Sequence, residues 1–162
     1  MSRALVVYFS RTGHTRKIAL ELAESLGADV ERIEEPRGRS GFFGYWRSGR
    51  EGYRKLTTVI HPIQKRPSDY DLVLIGTPIW AGNVSSPVRT YIAGNAGSFR
   101  RVAFFCTHGG SSAAKVMTEL SELCGVRPLA TLAVKEREIR AGSYRGGLKE
   151  FAKQVRRESG AG

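Results

Sequence analysis

The chain has 162 residues, 41% of them hydrophobic and 25% charged, with a formal net charge of +11 at pH 7. Length and composition fit one globular domain over residues 1–162 with room for a real core. No apolar run approaches the roughly 20 residues that span a bilayer, no secretory leader pattern is visible, and Cys106 and Cys124 lack metal-like spacing, which predicts a reduced, cytoplasmic protein without membrane insertion.

In chain order, residues 4–9 form a continuous apolar run, the pattern of a strand buried on both faces. The octet Tyr8-Phe9-Ser10-Arg11-Thr12-Gly13-His14-Thr15 then leads into a helix. From Lys17 on, its apolar face repeats as Ile18, Leu22 and Leu26 and stops at Gly27. Residues 29–34 alternate and predict a shorter strand. Residues 36–60 hold Phe42, Phe43, Tyr45, Trp46 and Tyr53 among glycines and arginines, a long connection for a compact domain. A short helix over 43–56 is expected within it.

Residues 72–76 predict a second buried strand after the turn-forming Pro67-Ser68-Asp69. Ser85-Ser86-Pro87 then starts a helix with Val88, Tyr91 and Ile92 on its buried face. Residues 102–106 predict a third buried strand, and Ala113, Val116, Met117, Leu120 and Cys124 mark a helix ended by Gly125. A fifth strand is expected over 128–134, and a last helix presents Leu148, Phe151, Ala152 and Val155. Strands alternating with helices predict a parallel sheet covered on both faces.

In such a sheet, ligands bind beyond the carboxyl ends of the strands. Three predicted loops follow those ends. The octet joins strand to helix with hydroxyls, one glycine and no acid, so backbone N–H groups at the helix start are open to a phosphate. The Gly-x4-Gly-Lys spacing of a Walker loop is absent, and simple capping by Ser and Thr is the alternative. The second loop, Thr77-Pro78-Ile79-Trp80-Ala81-Gly82-Asn83, offers an aromatic cover for a flat ring, or an ordinary core Trp80. The third, Thr107-His108-Gly109-Gly110-Ser111-Ser112, offers close backbone approach and one histidine, or a plain turn. A ligand with a phosphate at one end and a flat heterocycle at the other suits all three.

These residues resemble the flavodoxin family. Ser10-x-Thr12-Gly13-x-Thr15 after the first strand is similar to its phosphate loop, and Gly76-Thr77-Pro78-Ile79-Trp80 and Thr107-His108-Gly109-Gly110 are similar to its two flavin-ring loops. The resemblance spans residues 4–155 and is of the short-chain type. It implies a flavodoxin-like three-layer α/β sandwich, a five-stranded parallel sheet in order 2-1-3-4-5 with helices on both faces, and FMN as cofactor. It places Ser10, Arg11, Thr12, Gly13, His14 and Thr15 around the phosphate. Pro78, Ile79, Trp80, Ala81, Gly82 and Asn83 would flank one side of the ring, and Thr107, His108, Gly109 and Gly110 the other. No catalytic residue and no metal are implied. His14 stands where members commonly have Asn, and His108 where many place a Tyr.

The implied activity is transfer of one or two electrons between redox partners. An FMN-dependent NAD(P)H:quinone-type reductase is the alternative, with residues 42–53 capping its substrate. Flavodoxins are typically acidic; this chain carries eight Lys/Arg against two acids over 35–66, and eight against three over 135–157. That charge favours acidic redox proteins as partners, and a basic surface that only aids solubility is the bland reading. Arg and aromatic residues over 39–54 could stack on bases, but no nucleic-acid motif is present, which argues against nucleic acid as the partner. Monomer and homodimer are both compatible with the sequence.

Overall fold

The computed structural model describes residues 2–36, 58–110 and 112–160; the helix expected over 43–56 lies outside them. Five strands run parallel: β1 (Ala4–Tyr8), β2 (Asp29–Arg32), β3 (Leu72–Trp80), β5 (Val102–His108) and β6 (Pro128–Lys135). Their spatial order is β2-β1-β3-β5-β6, with β4 (Asn83–Val84) antiparallel to the end of β3. Counting the parallel strands alone, this is the expected order 2-1-3-4-5. The helices are α1 (His14–Leu26), α2 (Ser86–Gly94), α3 (Ala113–Cys124), α4 (Glu136–Ala141) and α5 (Arg145–Gly160).

The period-two alternation of strand side chains builds the three layers. Leu5, Val7, Val73, Ile75, Val102 and Phe104 face one side, against Val88, Tyr91 and Ile92 of α2 and Val116 and Leu120 of α3. Val6, Tyr8, Leu72, Leu74, Ala103 and Phe105 face the other, against Ile18, Ala19 and Leu22 of α1 and Leu148, Phe151, Ala152 and Val155 of α5. Burying each Val, Leu, Ile or Phe contributes about 1.5–3 kcal/mol before entropy is counted. The continuous apolar runs are continuous because both faces of the sheet are covered.

Close packing decides one backbone position inside the sheet. A Cβ on Gly76 would lie 2.1 Å from two ring carbons of Phe105, on the neighbouring strand. Gly76 is opposite Phe105 in the register, so that ring lies over the glycine and no side chain fits beneath it.

Four elements differ from the sequence reading. β5 runs on to His108 rather than stopping at Cys106, because Thr107 and His108 pair with Val134 and Lys135. β3 runs on to Trp80 rather than stopping at Gly76, because Gly76, Thr77 and Pro78 pair with Phe105, Cys106 and Thr107. Tertiary pairing here outweighs the local turn signal of Pro78. The chain then turns back so that Ile79 and Trp80 oppose Val84 and Asn83, a hairpin the loop reading left out. The short helix α4 is also additional; the Glu138 carboxylate closes its start by accepting the Lys135 N–H at 2.9 Å. No helix among the described residues is long and apolar enough to cross a membrane.

Candidate functional site

Parallel strands bring their carboxyl ends to one edge, so the loops after β1, β3 and β5 are neighbours there. In the first, Ser10 Oγ accepts the Gly13 N–H at 3.1 Å, and the Gly13 carbonyl accepts the Lys17 N–H at 3.0 Å. Gly13 caps α1 at φ 98°, a conformation that favours glycine. As a cap it has no side chain to occupy the first N–H groups, and the first turn of α1 holds no acid. The positive end of the helix is therefore not neutralised from within. Thr12 and Gly13 are exposed, and Arg11 and His14 are half-buried. Thr15 is buried instead, its hydroxyl 2.7 Å from that of Thr107.

The second loop is a tight hairpin. Trp80 opposes Asn83, leaving Ala81 and Gly82 as the turn with φ 48° and 76°. Left-handed geometry at both positions matches the strand twist, which is why two-residue hairpins use it. The Asn83 side-chain amide donates to the Ala81 carbonyl at 3.2 Å, bracing the turn. Thr77 Oγ1 accepts the Ser85 N–H at 3.1 Å and so ties the far end of the hairpin to β3. Pro78 and Ile79 are half-buried. Trp80 is only 5% exposed and stands edge-on to Phe9, with ring centroids 5.5 Å apart and planes at 89°. Its indole belongs to the core as well as to the loop.

In the third loop Thr107 and His108 are buried while Gly109 and Gly110 are exposed. His108 lies opposite Lys135 in the register. Burial lowers its pKa, the Lys135 charge lowers it further, and Glu138 and Glu136 oppose the shift. Its Nδ1 is buried with no hydrogen-bond partner among the described residues. The imidazole is therefore neutral at pH 7.

The loops touch pairwise. Phe9 meets Trp80, Thr15 meets Thr107, and a Cβ on Gly82 would lie 3.3 Å from Ser112 Oγ at the start of α3. The sixteen residues singled out from the sequence thus lie in three connections and the element ends that flank them, at one edge, with Ser10, Thr15, Trp80, Asn83, Thr107 and His108 buried.

Beneath the hairpin sits a feature the sequence reading missed. Arg89 of α2 and Glu119 of α3 form a buried ion pair, each side chain 9% exposed. Arg89 Nη2 donates to the Val84 carbonyl at 3.2 Å, and Glu119 Oε2 accepts the Val84 N–H at 3.4 Å. A signal was present: Glu119 falls three residues after Val116, on the apolar side of its helix.

An open parallel sheet whose connections reverse at β1 and β3, with a helix start that has no side-chain cap and three joined loops beyond the strand ends, defines a ligand-binding doubly wound α/β protein. The family model described as flavodoxin matches residues 3–137, a stretch that contains all three loops. The chain belongs to the flavodoxin family. Among solved structures it is similar to a candidate flavoprotein from Bacteroides eggerthii, with 28% identity over 87% of this chain and 95% of that one, at a TM-score of 0.73. A flavoprotein from Lactobacillus acidophilus in complex with FMN has 21% identity over 88% and 99% of the two chains, at 0.69. The two-electron reduced flavodoxin of Megasphaera elsdenii has 19% identity over 81% and 85%, at 0.52.

Proposed function

We propose that this protein is an FMN-dependent electron carrier, passing one or two electrons between redox protein partners. The observation that carries the reading is the pairwise joining of three loops at the carboxyl edge of the sheet, in a chain of the flavodoxin family. The residues present fit FMN. The exposed Gly13 turn and the acid-free start of α1, which has no side-chain cap, suit its phosphate. The hairpin turn Ala81-Gly82 and the exposed Gly109-Gly110 leave backbone groups open to a flat ring. The neighbour crystallised with FMN supports the same cofactor.

In this reading Ser10, Arg11, Thr12, Gly13, His14 and Thr15 form the phosphate loop. Pro78, Ile79, Trp80, Ala81, Gly82 and Asn83 form one ring loop, and Thr107, His108, Gly109 and Gly110 the other. When bound, the flavin supplies all of the redox chemistry. The chain's own task is to hold and shield it. Ser10 fixes the Gly13 N–H and so the shape of the turn. Trp80, packed edge-on against Phe9, braces the first and second loops against each other. Neutral His108 adds no positive charge of its own.

Purified protein should show flavin absorbance bands, or gain them at one equivalent on addition of FMN. Loaded protein should oxidise NAD(P)H only slowly with a quinone acceptor, while exchanging electrons rapidly with small redox proteins. Fast NAD(P)H:quinone turnover would instead establish the reductase.

A further inference from the structure

We infer that Arg89 and Glu119 are positioning residues that set the place of the β3–β4 hairpin relative to α3; this rests on the reading of that hairpin as a flavin-ring loop. β4 has two residues, and only one of its edges pairs with β3. On its other side, side chains do the work of a neighbouring strand. Arg89 donates to the Val84 carbonyl and Glu119 accepts the Val84 N–H, so both backbone groups of one residue are held from two different helices. α2 follows directly from the hairpin, and α3 starts directly after the Gly109-Gly110 loop. The ion pair thus couples the hairpin to the base of the third loop, on the side where Gly82 and Ser112 come together.

Stability alone does not account for this pair. Taking two charges out of water carries a large desolvation cost, and well-packed apolar replacements are often as stable or more so. The arrangement also leaves Arg89 Nε buried without a hydrogen-bond partner among the described residues, itself a penalty. What an apolar pair lacks is direction: it packs against Val84 without fixing its N–H and C=O. Directed, charge-assisted hydrogen bonds set a backbone position within a narrow range.

The test is the double variant R89M/E119L, which fills the same space without charge, with E119Q as a second variant should the double fail to fold. Amide hydrogen exchange is read on the FMN-free protein, and FMN affinity by fluorescence titration. The expected result is a melting temperature close to wild type, exchange at Gly82 and Val84 faster by about tenfold or more, and a Kd for FMN raised by about tenfold. A folded variant with wild-type exchange at the hairpin, or with faster exchange and unchanged FMN affinity, overturns the inference. If wild-type protein takes up no FMN, the flavin reading fails, and the exchange data alone decide whether the pair holds the hairpin.

Discussion

At the scale of single residues, His108 carries the clearest pH signature. Its pKa lies below the ordinary 6.5 in the folded state because burial and Lys135 disfavour the imidazolium. An unfolded chain takes up that proton as pH falls through 6.5, while the folded chain refuses it until lower pH. The neutral form's contribution is therefore complete above 6.5 and lost on acidification below it. Urea unfolding of wild type and His108→Leu across this range should show a stability difference that changes with pH in that window and is constant above it. Parallel profiles for the two proteins would remove His108 from the account. The sequence placed His108 after a strand but said nothing of its burial, which depends on β6 arriving beside β5. Thr15 is a similar case: as one of the octet's hydroxyls it reads as a donor for a ligand, and its meeting with Thr107 joins residues 92 positions apart.

At the scale of elements, the join of β3 and β5 is the part least tolerant of change. Gly76→Ala would drive a methyl into the Phe105 ring, at a distance no packing accommodates without movement of that ring or of a strand. The expected cost is about 1–3 kcal/mol, the range for overpacked cores. Part of it should return in the Phe105→Leu background, because the two side chains compete for one volume. Chemical denaturation of the four proteins measures this; additive losses would show that Gly76 answers to some other contact. The parallel strands and the four longer helices were legible, since their apolar periodicities survive in the fold; α4 was not. The β3–β4 hairpin was not, because Pro78 and Gly82 read locally as breakers, whereas pairing with β5 and the left-handed turn at Ala81-Gly82 absorb both.

At the scale of the whole molecule, charge is the property that sets this chain apart from the acidic flavodoxins it resembles. A net charge of +11 produces a positive potential that favours added negative charge anywhere near it. Under the proposed function, the second electron should therefore be accepted at a higher potential than in acidic flavodoxins. The gap should narrow as salt is raised, since screening shortens the reach of surface charge to about 10 Å at 0.1 M. Spectroelectrochemical titration at two ionic strengths reads both effects. A second potential as low as that of the acidic proteins would show that local contacts at the ring, not the global field, set it.

By itself the sequence determined the alternation of elements, the apolar faces of the four longer helices and the three loops with unusual chemistry. Those signals are local: apolar spacing, glycine stops and hydroxyl-rich turns act within a few residues of one another. Only the tertiary structure decided which groups stay open at the site. Burial of Trp80 against Phe9, loss of the Thr15 hydroxyl to Thr107, neutrality of His108 and the Arg89–Glu119 hold on Val84 all depend on segments far apart in the chain. A side chain's partners follow from which strands and helices meet. That meeting is set by the packing of two complete cores rather than by any one stretch of sequence.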